Sequence, residues 1–118
     1  AALHHALGLA RIRLQQPDLA LSSLQRAVEL DPATARYTYV LAVALHSTGQ
    51  ANEAIRQLQE AVERWPYDRD MLMALTSFQL ESGLRQDAQA TARRLVAAYP
   101  ADPQVRVLAA AALGGEPP

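Results

Sequence analysis

The chain has 118 residues, half of them hydrophobic but only 5% aromatic, with a net charge of -1 and no cysteine. That is enough apolar material for one core, while the near-neutral charge argues against a basic nucleic-acid-binding domain. Disulfides, thiol catalysis and covalent haem attachment are excluded within this stretch. No apolar run reaches membrane-spanning length, because arginine, glutamine or aspartate interrupts every one.

Seven helices account for nearly the whole chain. The first is predicted over 2–15 and the second over 18–31, separated by Gln15-Gln16-Pro17-Asp18, where proline suits a first helical turn. Asp31-Pro32 stops the second helix, since the residue before proline is pushed out of the α region. The third and fourth are predicted over 35–48 and 52–64, with Gly49 just past a helix end, where a left-handed backbone costs no side-chain clash. Trp65-Pro66 closes that pair. The fifth and sixth, over 69–82 and 86–98, repeat the arrangement with Gly83 between them and Tyr99-Pro100 after them. A seventh, over 103–113, precedes a short tail over 114–118, read as flexible. Apolar residues recur at helical spacing, as in Leu21, Leu24, Val28 and again in Ile55, Leu58, Val62. No stretch alternates as a strand does. The fold class is all-α.

Pro32, Pro66 and Pro100 stand 34 residues apart, and Ala20, Ala54 and Ala88 keep the same phase, as do Val28, Val62 and Val96. A fixed period of this length marks a helical-hairpin repeat. These residues resemble the tetratricopeptide repeat, whose pattern ends in such a proline. Leu7-Gly8, Ala20, Leu24, Ala27 and Pro32 carry it in 1–34. Leu41-Ala42, Gly49, Ala54, Leu58, Ala61 and Pro66 carry it in 35–68, and Leu75, Gly83, Ala88 and Pro100 in 69–102. The third repeat departs where Ala92 and Leu95 reverse the usual large-then-small order, and all three depart at the family's tryptophan and tyrosine positions, held here by His4 and Arg11, Thr38 and Leu45, and Leu72 and Gln79. The resemblance implies a right-handed α-solenoid of three repeats and a closing helix. A weaker resemblance links 35–47 and Asp68-Arg69-Asp70 to the C-terminal repeats of bacterial multihaem cytochrome-like proteins. Any haem would then belong to an upstream region, and the repeats would be a structural appendage of a larger bacterial protein. The start at Ala1, without methionine or a signal-like segment, agrees with a domain from a larger chain.

The family resemblance further implies a concave groove lined by the first helix of each pair, binding a peptide or a partner's helix without catalysis. Its positions carry over to His5, Leu9, Ile12 and Arg13; to Arg36, Tyr39, Val43, His46 and Ser47; and to Asp70, Met73, Ser77, Leu80 and Glu81. Gln104 and Val107 follow on the last helix. Arginines 13 and 36 lie toward the N-terminal end, with Asp70, Glu81 and Asp102 toward the other, which suits a dipolar partner. The carboxylate clamp of some family members is not expected, because its positions hold His5, Leu9, Val40, Asp70 and Ala74, and an aspartate repels a carboxylate.

No other site emerges. His4 and His5 are adjacent on a helix and diverge by about 100°, so no metal or cofactor is expected. There is no phosphate loop and no nucleophile elbow. Ser22-Ser23 is expected on an exposed turn of the second helix, and Trp65 over an apolar junction. The last helix, with Val105, Val107, Leu108 and four alanines from Ala109, is apolar enough to predict self-association through the array ends. No nucleic-acid or membrane partner is expected.

Overall fold

The structure is a computed structural model and describes residues 1–114. Among these, seven α-helices and no strands occur: α1 Ala2–Arg13, α2 Pro17–Leu30, α3 Ala35–Ser47, α4 Ala51–Arg64, α5 Arg69–Glu81, α6 Arg85–Ala98 and α7 Pro103–Leu113. Every predicted helix is present, with ends displaced by no more than two residues. The tail is described only at Gly114; its remaining residues lie outside the described range. The chain divides into two compact units, Ala1–Gln57 and a second that begins at Leu58, the boundary falling inside α4.

In the first unit α1 packs on α2, and α2 packs on α3. Ala20, Leu24 and Ala27 of α2 are buried, as are Leu41, Ala42, Ala44 and Leu45 of α3. Small residues let the axes approach. A Cβ added to Gly8 would stand 2.6 Å from Leu24 Cγ and Cδ2, so glycine is what admits the leucine at this crossing. Leu24 has no exposed surface, and truncating such a leucine to alanine costs about 2–5 kcal/mol.

The second unit packs α5 on α6, α6 on α7 and α5 on α7. Met71, Leu72 and Leu75 of α5, Ala88, Ala92 and Leu95 of α6, and Val105, Ala109 and Ala112 of α7 are buried. Ala92, Ala109 and Ala112 form one cluster, flanked by the partly buried Leu80, Val96 and Leu113. Tyr99 donates its hydroxyl to the Tyr67 carbonyl, and Arg94 donates to the Val62 carbonyl at 3.3 Å. Each bond ties together segments about one repeat apart.

The turns repeat as faithfully as the helices. Gly49 N–H donates to the His46 carbonyl and Gln50 N–H to the Leu45 carbonyl; Gly83 and Leu84 do the same toward Leu80 and Gln79. Both glycines have positive φ, 87° and 75°. This double bond closing a helix on a left-handed residue is the Schellman arrangement. The first repeat makes the same two bonds, Gln15 to Ile12 and Gln16 to Arg11, with Gln15 at φ 58° where its counterparts are glycine.

The positions one would expect to hold an aromatic carry a polar link instead. Arg11 donates to Ser23 Oγ and to the Leu19 carbonyl, which joins α1 to α2. Two repeats on, Thr91 donates to Gln79 Oε1 at 2.8 Å, joining α6 to α5 with both residues buried. Ser23 is therefore not on an exposed turn. It is buried, and the guanidinium of Arg11 uses it as an acceptor.

Candidate functional site

The first-helix face is built separately in each unit. In the first unit it comprises His5, Leu9 and Arg13 of α1 with Arg36, Tyr39, Val43 and His46 of α3. Residues three and four apart share a helix face, so each set forms one stripe. None of the seven is buried: His5, Leu9, Tyr39 and His46 are half-buried, whereas Arg13, Arg36 and Val43 are exposed. Ile12 and Ser47, also expected on this face, are exposed.

Two ring contacts organise the stripe. The His5 imidazole lies 4.8 Å from the Tyr37 ring, tilted by 36°, linking α1 to α3. The Arg36 guanidinium sits 5.0 Å from the centre of the Tyr39 ring, at cation–π range. His5 Nδ1 is buried and has no hydrogen-bond partner among the described residues. Burial, and secondarily the positive charge of Arg36, hold the imidazole below its ordinary pKa of 6.5. The histidine is thus biased toward its neutral form.

In the second unit the face comprises Asp70, Met73, Ser77 and Glu81 of α5. Asp70 and Glu81 are exposed; Met73 and Ser77 are half-buried. Leu80 is half-buried and packs on the alanine cluster of α6 and α7. Met73 joins Pro103, Gln104, Val107, Leu108 and Ala111 of α7 around an open cleft of about 600 Å³. The cleft is largely aliphatic, and Val107 is 74% exposed beside it.

An ion pair between residues 33 apart in the chain fixes the end of this cleft. Arg69 donates from Nε to Asp102 Oδ2 at 2.6 Å and from Nη2 to Gln104 Oε1 at 2.7 Å. Asp102 also caps α7, accepting the backbone N–H groups of Gln104 and Val105. The Arg69 bond, followed by those amides, holds the Asp102 carboxyl below its ordinary range, while Asp102 in turn raises Arg69. Asp70 Oδ1 lies 3.6 Å from Arg69 Nη1. The acidic end expected here is consequently partly neutralised from within. The available signal was the spacing of Thr34, Asp68 and Asp102, each preceding the first helix of a repeat.

No group of three histidine, cysteine, aspartate or glutamate side chains with the geometry to hold a metal occurs among the described residues. No helix there is long and apolar enough to cross a membrane. Trp65 is half-buried with the Arg64 guanidinium 4.8 Å from its ring, so a charged neighbour covers one side of it.

Two tetratricopeptide-repeat families match the sequence, one over residues 5–69 and the other over 45–112. The chain belongs to the tetratricopeptide repeat family. Solved structures agree on the fold of this tetratricopeptide-repeat chain. MamA from Desulfovibrio magneticus RS-1, residue 41 to its end, superposes with a TM-score of 0.83 at 20% identity, over 97% of this chain and 64% of that one. The TPR domain of Arabidopsis OM64 gives a TM-score of 0.80 at 16% identity, over 98% of this chain and 95% of that one. YrrB, described as a TPR protein with an unusual peptide-binding site, gives 0.78 at 26% identity, over 90% and 54%. The chain thus spans under two thirds of MamA and about half of YrrB. No curated protein matches it.

Proposed function

We propose that this tetratricopeptide-repeat chain is a non-catalytic interaction module that binds a peptide or a helical segment of another protein on its first-helix faces. The observation that carries the reading is the state of the eleven positions His5, Leu9, Arg13, Arg36, Tyr39, Val43, His46, Asp70, Met73, Ser77 and Glu81. All are partly or fully accessible, although their helices bury other faces. They combine an arginine-stacked tyrosine, a histidine, a methionine and aliphatic groups, a mixture suited to peptide recognition. Repeat arrays present such faces as extended binding surfaces, and the described peptide-binding role of YrrB is compatible with it.

Arg36→Glu with Tyr39→Ala tests the reading. The pair removes the cation–π contact and reverses a charge without touching the buried residues of α3. The folded double variant, checked by circular dichroism, is expected to lose most capture of the partner that the unaltered chain retains. Undiminished capture would remove the α1/α3 face from the binding surface.

The same reading extends to self-association. Leu3 and Leu7 of α1 are 76% and 38% exposed, and Val107 of α7 is 74% exposed. Leu41 and Leu75, which share the phase of Leu7, are 4% and 2% exposed. Leu7 is therefore uncovered where its inner counterparts are buried, and Val107 adds an exposed apolar residue on α7.

A further inference from the structure

The first unit has a concavity of its own at the turn end of its helices. Ile12 near the end of α1, Pro17 and Ala20 at the start of α2, and Ala44, Ser47 and Thr48 at the end of α3 surround a pocket of about 330 Å³, with Gln15 and Gln16 at its rim. An engineered core cavity of about 150 Å³ already takes up benzene; this concavity is larger and opens to solvent, six of its eight lining residues being exposed. Ala20 and Ala44 are 1% and 4% exposed, so they lie deep in the packing, beneath the exposed Ile12, Pro17 and Thr48.

The pocket's chemistry is apolar despite its hydroxyls. Ser47 Oγ donates to the Val43 carbonyl at 2.8 Å, and Thr48 Oγ1 donates to the Ala44 carbonyl at 2.9 Å. Both hydroxyl protons are turned back onto α3. The rest of the lining is aliphatic at Ile12, Pro17, Ala20 and Ala44, with the amides of Gln15 and Gln16 at the rim.

The repeat itself indicates the size of group that fits. Counting 34 residues from Ala44 reaches Phe78 on α5, which is buried at 8% exposure. The same helix position thus holds a phenyl ring in one repeat and a methyl group in the other. We propose that the Ala44 pocket is a socket for one phenylalanine-sized apolar side chain supplied by a partner protein. It shares only Ile12 and Ser47 with the first-helix face, and Arg36 and Tyr39 do not line it. The socket therefore stands or falls apart from the binding face proposed above.

The test titrates N-acetyl-phenylalaninamide into the isotope-labelled chain, followed by amide resonances, with N-acetyl-alaninamide as the control. Shifts are expected on residues 15–20 and 44–48, saturating in the millimolar range for the phenyl compound only. Ala44→Phe supplies the ring from within. It is expected to weaken binding by roughly tenfold or more without lowering the melting temperature. The Arg36→Glu/Tyr39→Ala variant is expected to bind the compound unchanged, which separates failure of the socket from failure of the first-helix face. Ala44→Leu makes the same comparison with a smaller side chain. Shifts that are absent or scattered, or binding to Ala44→Phe equal to that of the unaltered chain, would overturn the proposal. So would failure of both substitutions to fold, since it would mean the space accepts no added volume.

Discussion

At Gln15 the backbone turns to φ 58° with a side chain attached, where Gly49 and Gly83 make the same turn without one. A left-handed conformation costs an L-residue roughly 1–2 kcal/mol, part of it returned as unfolded-state entropy when glycine replaces it. Gln15→Gly is therefore expected to raise stability by about 0.5–1 kcal/mol in urea denaturation. Gly49→Ala and Gly83→Ala are each expected to lower it by about 1 kcal/mol, although a Cβ there meets no atom within 4 Å. Glycine at 49 and 83 was legible in the sequence as a helix stop; in the first hairpin Pro17 marked the break, but the left-handed residue at 15 was not legible, because glutamine carries no such signal. His5 gives a second residue-scale expectation. Its pKa in the folded chain is below the ordinary 6.5, so above that pH both folded and unfolded states are neutral and stability is at its full value. As pH falls through 6.5 the unfolded chain takes up a proton that the folded chain resists, and stability declines. Melting temperatures recorded from about pH 8 down to about pH 5 should show this decline, and His5→Phe should flatten it. Glu53, drawn down to about 2 chiefly by its bond to Arg56, acts in a separate and more acidic window. Its contribution is complete above the ordinary carboxylate range and is lost as pH falls toward 2.

At the scale of paired helices, the link between Gln79 and Thr91 replaces an aromatic contact with a buried hydrogen bond. Thr91→Val removes the donor and leaves Gln79 Oε1 buried without it, at a cost of about 1–3 kcal/mol. Gln79→Leu with Thr91→Val removes both polar groups and is expected to recover most of that loss, as Leu45 already stands at the equivalent position in the preceding repeat. Chemical denaturation of the two variants checks both expectations, and equal losses would contradict the account. Helix starts show the same dependence on partners beyond the local sequence. Asp68 caps α5 by accepting the Met71 N–H at 3.0 Å, so Asp68→Ala should cost about 1 kcal/mol. Thr34, at the equivalent position, turns its hydroxyl to Asp31 instead and makes no cap bond to α3. Positions and lengths of the helices were legible because glycine, proline and the apolar period act locally. The Arg11–Ser23 and Arg69–Asp102 links were not, because each joins residues that only the folded hairpins bring together.

At the scale of the whole chain, the 34-residue period accounts for why so much was readable. It gives every helix a counterpart whose burial can be compared with its own. The period named the buried leucines at 24 and 58, and the family pattern in the same register named the first-helix positions; in the third repeat Ala92 takes that place and the buried leucine stands at 95. It also marks where the register leaves surface uncovered, at Leu3 and Leu7, to which α7 adds the exposed Val107. Apolar surface of this kind drives association in proportion to its area. Sedimentation at millimolar protein is accordingly expected to show species larger than the monomer, and Leu3→Gln with Val107→Gln to shift the distribution back. What the period leaves unspecified is the partner, because exposed positions are not constrained by packing. The central claim is that recognition uses first helices, and site-specific photocrosslinking tests it most directly. A photoreactive residue placed at Val43 on α3 or Met73 on α5 is predicted to form partner adducts, while the same residue at the exposed Gln25 on α2 or Gln86 on α6 forms none. Adducts of equal yield from the second-helix positions, or none from Val43 and Met73, would contradict it.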